Sequence, residues 1–375
     1  MKRFASCAAA FFAAAVLACP AQAEDTIKIG VPGAHTGALA SYGVPSLNAA
    51  KIVAEKINAK GGVLGKKIQL LTEDDQCKAE LATNAATKLI SEDVNVVMGH
   101  ICSGPTKTSL PYYNKENIIL MSPTATTPAL TAPGVNPMFF RTVAKDDAQA
   151  TLTSKFILES LKGKKVAYVH DNDEYGKGFA DGNKAILEQA GVETVLYEAV
   201  TPDAVDFSAI SRKLRHAKPD VIVFGGYKDL AGKLIKQFRR EKVNCPVVGP
   251  DGVKDQAILE LGPAAENVYC SYPKDTSTLP LFKEARDAHV KQFGSEPGFG
   301  YYNAYAAMLA LIHGIEKAGS TDTAKIIEVL HNDPVDTPIG SLTFNANGDA
   351  AGMGLSIYTV KDGKFVETEF NITLK

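Results

Sequence analysis

Two hydroxyl-rich loops and three loops bearing acids or tyrosines hold the side chains from which chemistry could be built. Gly99-His-Ile-Cys-Ser-Gly-Pro-Thr106 and Ser122-Pro-Thr-Ala-Thr-Thr-Pro128 offer hydroxyls and backbone N–H groups. Ser103 precedes Gly104-Pro105, and a Pro near a first helical turn makes Ser103 a candidate N-cap. Free N–H groups at such a start attract an anion; equally, Ser103 and Thr126 would serve as plain helix caps. Gly225-Gly-Tyr227, Gly249-Pro-Asp-Gly252 and Asp171-Asn-Asp-Glu-Tyr-Gly176 supply the opposite character. Asp251 by itself reads as a turn residue. Taken together, an anion site facing a carboxylate and tyrosines suits a zwitterion.

Enzyme signatures are poor by comparison. The chain holds no G-x-x-x-x-G-K-S/T, H-E-x-x-H, G-x-S-x-G or strand-linked G-x-G-x-x-G. His100 lies two residues from Cys102, a hint of a thiol nucleophile, but that thiol is better placed in a disulfide. Asp74-Asp75 and the pair Asp171 and Asp173 read as turn and cap residues rather than metal ligands. With 40 basic and 42 acidic residues there is no basic footprint for nucleic acid. A mean hydropathy of −0.04 and a single apolar stretch exclude a polytopic membrane protein.

The elements that must position these loops alternate. Short apolar runs at 26–31, 67–71, 94–98 and 117–121 read as strands, with helical spacing at 44–60, 79–91 and from about 104. The alternation restarts at Asp146: helix to Leu161, strand 165–169, helix 178–190, strand 194–197, helix 207–217, strand 220–224, helix 230–242, strand 246–248. Such alternation predicts parallel sheets covered on both faces, and two runs predict two α/β lobes. The loops singled out above then fall at the carboxyl ends of strands, where open α/β sheets place ligands. Helices at 279–294, 301–319 and 323–332 follow. The end reads as an antiparallel hairpin, 356–360 and 365–369 around Asp362-Gly363, too small to stand alone.

The beginning reads as a secretion signal. Lys2 and Arg3 precede an apolar run from Phe4 to Ala18, and Ala21-Gln22-Ala23 is a small-x-small cleavage pattern. Residues 1–23 are thus expected to be removed on export. Val16-Leu-Ala-Cys19 is an imperfect lipoprotein box, which leaves anchoring through Cys19 as the alternative. Cys7 and Cys19 would leave with the leader. Cys77, Cys102, Cys245 and Cys270 remain, an even number that reads as two disulfides with three connectivities; sequence neighbours, Cys77 with Cys102 and Cys245 with Cys270, are the simplest.

Several segments in the same order resemble the branched-chain amino-acid binding proteins, the leucine/isoleucine/valine receptors of bacterial ATP-binding-cassette (ABC) importers. They are Gly33-Ala-His-Thr-Gly37 with Tyr42-Gly43, Ile57-Asn-Ala-Lys-Gly-Gly62, Asp74-Asp-Gln-Cys77, Gly99-His-Ile-Cys-Ser103, Ser122-Pro-Thr-Ala-Thr126, Tyr175-Gly176, Gly225-Gly-Tyr227 and Gly249-Pro-Asp-Gly252. The resemblance covers essentially the whole chain after the leader. It implies a type I periplasmic binding protein fold: two lobes, each a mostly parallel sheet flanked by helices, joined by three hinge crossings near 141–145, 272–274 and 349–352. Lobe 1 would comprise 24–143 plus 274–350, and lobe 2 would comprise 144–273 plus 351–375.

The same resemblance implies a ligand set. Ser103 and Thr126 match carboxylate ligands, and the carbonyl of Thr124 would face the ammonium. Asp251, where the family commonly has Glu, would pair with the ammonium beside Tyr227. Tyr42, Ile101, Cys102 and Tyr175 match the wall around the ligand side chain, and Cys77–Cys102 matches a family disulfide. An aromatic of that wall aligns with Gly300, so a missing ring would enlarge the pocket. The implied function is a monomeric receptor, not an enzyme and without a cofactor, that hands an amino acid to an ABC permease. A different small amino acid, a GABA-like acid, an amide or an aromatic acid, or a role as a sensor for a signalling partner, are the alternatives.

Overall fold

A computed structural model describes residues 26–374, so the leader with Cys7 and Cys19 lies outside the described residues. The first run is β1 (Ile27–Gly33), α1 (Ala40–Ala59), β2 (Ile68–Asp74), α2 (Ala79–Ser91), β3 (Val96–Met98), α3 (Ser103–Lys115), β4 (Ile119–Ser122) and β5 (Phe139–Arg141). The second is α4 (Asp146–Phe156), β6 (Lys165–His170), α5 (Glu174–Gln189), β7 (Glu193–Ala199), α6 (Ser208–Ala217), β8 (Val221–Gly225), α7 (Lys228–Arg240), β9 (Val247–Gly249), α8 (Gln256–Leu259) and β10 (Val268–Pro273). Then follow α9 (Pro280–Phe293), α10 (Tyr301–Ala318), α11 (Thr323–Asn332), β11 (Val335–Thr337), β12 (Gly340–Phe344), β13 (Ala350–Ala351), β14 (Gly354–Lys361) and β15 (Lys364–Thr373).

β1 to β5 form a parallel sheet in the order β2-β1-β3-β4-β5. A second sheet runs β15-β14-β10-β9-β8-β6-β7, parallel from β7 to β10, with β14 antiparallel to β10 and β15 antiparallel to β14. The closing hairpin therefore extends the second sheet, and its pairing with β10 supplies the support that an isolated hairpin lacks. Residues of β3 and β8 are buried throughout, as expected of strands covered on both faces. Helix α7 shows the complementary pattern: Leu230, Ala231, Leu234, Ile235 and Phe238 form one buried face. Helices α9 to α11 and strands β11 to β13 pack into the apolar core of the first sheet, through Tyr305, Leu311, Ile326 and Phe344 among others.

Two sheets thus make two lobes, and the chain passes between them after β5, after β10 and after β13. Arg141 stitches two of these crossings. It is fully buried, its Nε donates to Asp349 Oδ1 at 2.7 Å, and its Nη1 donates to the carbonyls of Ala125 and Thr127 at 3.0 Å each. The strand order turns back on itself at the same place in both lobes, between β1 and β3 and between β6 and β8. In open α/β sheets this is where loops diverge and leave a crevice.

Candidate functional site

The crevices of the two lobes face each other. From the first lobe come Tyr42 on α1, Ile101, Cys102 and Ser103 after β3, Thr124 after β4, and Phe299 just before α10. From the second come Tyr175 in the first turn of α5, Tyr227 before α7, and Asp251 with Gly252 after β9. They close on a space of about 10 Å³, room for about one water molecule.

Local sequence explains how these side chains arrive. Tyr175 and Tyr227 meet at 5.0 Å between ring centroids because two glycine backbones lie against each other behind them. A Cβ on Gly225 would come within 1.9 Å of the Gly176 carbonyl oxygen, so neither position tolerates a side chain. Cys102 is disulfide-bonded to Cys77, which ties the loop after β3 to the start of α2. His100 Nδ1 and Asp75 Oδ2, both fully buried, lie 2.6 Å apart beside that bridge, while Asp75 Oδ1 accepts from the Cys77 N–H. His100, Cys102 and Asp75 therefore brace a loop. Asp74 accepts from the His35 and Gln76 N–H groups. Asp173 caps α5 by accepting from the Glu174 N–H, and Asp171 accepts from the Asp173 N–H.

Ser103 is not the N-cap. Cys102 holds that extended position, Ser103 is already helical, and its Oγ accepts from the Thr127 N–H at 3.4 Å. Its own hydroxyl hydrogen is not committed to the helix. Thr126 caps nothing either. It is fully buried and stands outside the lining, and its hydroxyl lies 3.0 Å from Asp146 Oδ2. Thr124 Oγ1 donates to the Ile101 carbonyl at 2.6 Å, joining the two strand-end loops.

Two further expectations are corrected. Cys245 and Cys270 are free thiols. β9 and β10 run parallel with Val247 opposite Val268 and Gly249 opposite Cys270, so Cys245 lies about four residues back along the strand from Cys270's partner. At roughly 3.3 Å per residue the pair is beyond the ~7 Å Cα limit for a disulfide. Nor is a ring missing beside Gly300: Phe299 supplies it, edge-on to Tyr42 at 4.8 Å. Gly300 adopts φ +71 and turns the chain so that the preceding side chain fills the wall. Sequence reading overlooked Phe299, though an aromatic adjacent to the aligned position was the available signal.

The electrostatics are concentrated in the second lobe. Asp251 is 4% exposed. Its Oδ1 accepts from the Tyr175 hydroxyl at 2.5 Å and from the Gly252 N–H at 3.0 Å, and no ion pair reaches it among the described residues. Burial pushes its pKa up, while the hydrogen bonds from Tyr175, Gln149 and Gly252 pull it back. Burial also raises the pKa of Tyr42, Tyr175 and Tyr227, which keeps all three hydroxyls protonated. Tyr42 spans the lobes: its hydroxyl donates to the Gly252 carbonyl at 2.6 Å and accepts from the Lys228 N–H at 3.1 Å. Lys107 on α3 and Glu174 on α5 pair at 3.0 Å at the rim. Among the described residues no cluster of His, Cys, Asp and Glu is arranged to hold a metal, and no helix is long and apolar enough to cross a membrane.

Comparison with known proteins places this arrangement. Residues 26–364 match the family described as periplasmic binding protein. A leucine-, isoleucine-, valine-, threonine- and alanine-binding protein of Pseudomonas aeruginosa is 33% identical over 337 residues, 90% of each chain. The branched-chain amino acid transporter substrate binding protein of Streptococcus pneumoniae, solved with isoleucine, superposes with a TM-score of 0.82 at 26% identity, over 92% of this chain and all of that one. A solute binding protein of an ABC transporter from Rhodopseudomonas palustris, solved with benzoate, shares the fold at a TM-score of 0.83 and 20% identity, over 93% and 98%. On sequence and fold together, the chain belongs to the periplasmic binding protein family.

Proposed function

We propose that the protein is an extracytoplasmic solute-binding receptor, not an enzyme, that captures an amino acid between its lobes and delivers it to an ABC permease. Leucine, isoleucine and valine are the leading ligands. The observation that carries this reading is Asp251, a buried carboxylate at a cleft wall with hydrogen-bond donors but no cation. Burying an ionised carboxylate without a counter-charge is costly, and a ligand ammonium supplies that charge. Across the cleft, Ser103 and the 124–127 loop offer hydroxyl and N–H groups to the ligand carboxylate, and Tyr42, Ile101, Tyr175 and Phe299 surround an apolar side chain. A benzoate-like acid would fill the rings yet leave Asp251 unpaired, which favours the amino acid over the aromatic acid. The relatives' names point to the same class.

The division of labour follows the lobes, 24–143 with 274–350 and 144–273 with 351–375. One lobe binds the acid end through neutral dipoles, and the other adds Asp251 and the tyrosines on closure. Charge-assisted hydrogen bonds contribute about 1.5–3 kcal/mol each, and a buried branched side chain contributes about 1.5–3 kcal/mol. A few such terms, less the cost of association, reach about −8 kcal/mol, a micromolar complex. Because the space in the closed cleft is about 10 Å³, the lobes must part to admit a ligand, and ligand then shifts the open–closed balance. The receptor acts as a monomer in the periplasm, exported by residues 1–23. A thermal-shift panel of amino acids, amides and organic acids tests the class. The expected result is stabilisation by leucine, isoleucine and valine, with Asp251→Ala weakening calorimetric affinity at least tenfold. Stabilisation by desamino acids alone, or unchanged affinity in the variant, overturns the reading.

A further inference from the structure

Behind the cleft a second carboxyl is buried as completely as Asp251. Asp146 opens α4 immediately after the first hinge crossing and is 2% exposed. Its Oδ2 lies 3.0 Å from Thr126 Oγ1, its Oδ1 accepts from Gln149 Nε2 at 3.2 Å, and its backbone N–H donates to the Thr126 carbonyl at 2.9 Å. Gln149, itself 1% exposed, uses its Oε1 to accept from the Asp251 N–H at 3.1 Å and from the Ser271 hydroxyl at 2.6 Å. A continuous hydrogen-bonded chain therefore runs from Thr126 through Asp146 and Gln149 to Asp251, joining the two faces of the cleft through the hinge.

The hydroxyl of Thr126 has a single hydrogen. If Asp146 is ionised, that hydrogen goes to Asp146, and nothing remains for a ligand carboxylate. If Asp146 carries a proton, the direction reverses: Asp146 donates to Thr126 Oγ1, and the Thr126 hydrogen is released. The Thr126 hydroxyl and the Arg141 guanidinium favour a charged Asp146, but less than burial and the Asp251 charge oppose it. The Arg141 guanidinium is committed to Asp349 and to carbonyls, Asp147 next in the chain pairs with Lys145, and Tyr175 and Asp251 face it from α5 and the β9 loop. We propose that Asp146 is a positioning residue that holds a proton against Thr126 Oγ1 and so leaves the Thr126 hydroxyl hydrogen, which lies behind the lining of the closed cleft, free for the carboxylate of an amino acid that enters as the lobes part. Burial and the neighbouring Asp251 charge both push its pKa well up, in line with this geometry, while Asp251 keeps hydrogen bonds that favour its charge. The proposal rests on the amino-acid reading of the cleft.

Infrared difference spectroscopy of the unliganded protein at pH 7 reads the proton without any ligand. In an Asp171→Asn background, which removes the other carboxyl held near neutrality, a protonated carboxylic acid band is expected, lost on adding Asp146→Asn and retained on adding Asp251→Asn. Calorimetry with L-leucine then reads the consequence. Asp146→Asn still donates to Thr126 through its amide, whereas Asp146→Ala cannot, so the Ala variant is expected to bind leucine at least tenfold more weakly than the Asn variant. With leucinamide, which lacks the carboxylate, that tenfold gap is expected to close; a merely structural defect would persist for both ligands. In the Asp171→Asn background, a band that is absent or that survives the addition of Asp146→Asn, or Asn and Ala variants of Asp146 equally weak for leucine, overturns the proposal. Failure of the native protein to bind any amino acid while the band behaves as expected removes the cleft reading and leaves the buried proton standing.

Discussion

Replacing Tyr42 with Phe removes one oxygen atom and keeps the ring, which makes it a clean probe of lobe closure. The edge-on contacts with Phe299 at 4.8 Å and Tyr227 at 5.5 Å survive the change. What is lost is the bond donated to the Gly252 carbonyl and the bond accepted from the Lys228 N–H, both from a side chain 1% exposed. In the closed form the Gly252 carbonyl is then left buried and the Lys228 N–H part-buried without these partners, at about 1–2 kcal/mol apiece by the lower part of the usual range for unsatisfied groups. In the open form both reach water and the loss is negligible. The closed state is therefore disfavoured by about 2–4 kcal/mol relative to the open one, or roughly 30- to 900-fold. Ligand held only by the closed form should dissociate faster and bind more weakly by a factor in that range. The thermal midpoint of the unliganded protein should fall far less, because the open form is folded. Stopped-flow release of leucine together with calorimetric affinity measures both quantities. A change below threefold in affinity with an unaltered release rate would refute the idea that Tyr42 latches the lobes.

Two other perturbations test the frame around the cleft. Arg141→Met leaves Asp349 buried beside only the more distant Lys145 ammonium at 3.4 Å, and should cost about 3–5 kcal/mol of stability, partly recovered in the double variant Arg141→Met with Asp349→Leu; a calorimetric loss below about 1 kcal/mol would sink this account of the hinge. Asp171, pushed up to about 7 by burial, holds its proton more tightly folded than unfolded, so its contribution is fully present below about pH 4 and is lost as pH rises to about 7. Asp171→Asn should abolish that loss and gain on the native protein across this window by at most on the order of 4 kcal/mol, whereas melting curves that stay parallel from pH 4 to 8 would count against a raised pKa.

The sequence made much of this architecture readable because its strands are unbroken apolar runs. Val96-Val-Met98 and Val221-Ile-Val-Phe-Gly225 admit no other reading between amphipathic helices. β10 was harder. Val268-Tyr-Cys-Ser-Tyr-Pro273 mixes polar and aromatic residues, because one flank pairs with β9 and the other with a hairpin 80-odd residues later. β5 and β11 to β13 are too short to show a period. Most of the lining residues were visible as loops at strand ends. Phe299 and Gln149 were not, because each matters through a neighbour distant in sequence: Tyr42 for one, Asp251 for the other. The simplest cysteine pairing held where the crossover through α2 and β3 returns the chain from Cys77 to Cys102, and failed where strand register separates Cys245 from Cys270.

Asp146 and Asp147 show where sequence reasoning stops. They are identical side chains on adjacent residues at a helix start, where an acid is favoured by the dipole in either position. A helix rotates about 100° per residue, so only one of them can face inward. Asp147 points to solvent and pairs with Lys145, while Asp146 is carried under the cleft floor to Thr126 and Gln149. Which acid faces solvent and which is buried against Thr126 is decided by how α4 docks against β10, β14 and the 124–127 loop. That docking rests on Arg141, whose guanidinium holds the carbonyls of Ala125 and Thr127 on either side of Thr126. Loosening the hinge should thus disturb acid recognition in the cleft even though Arg141 is not among the residues that line it.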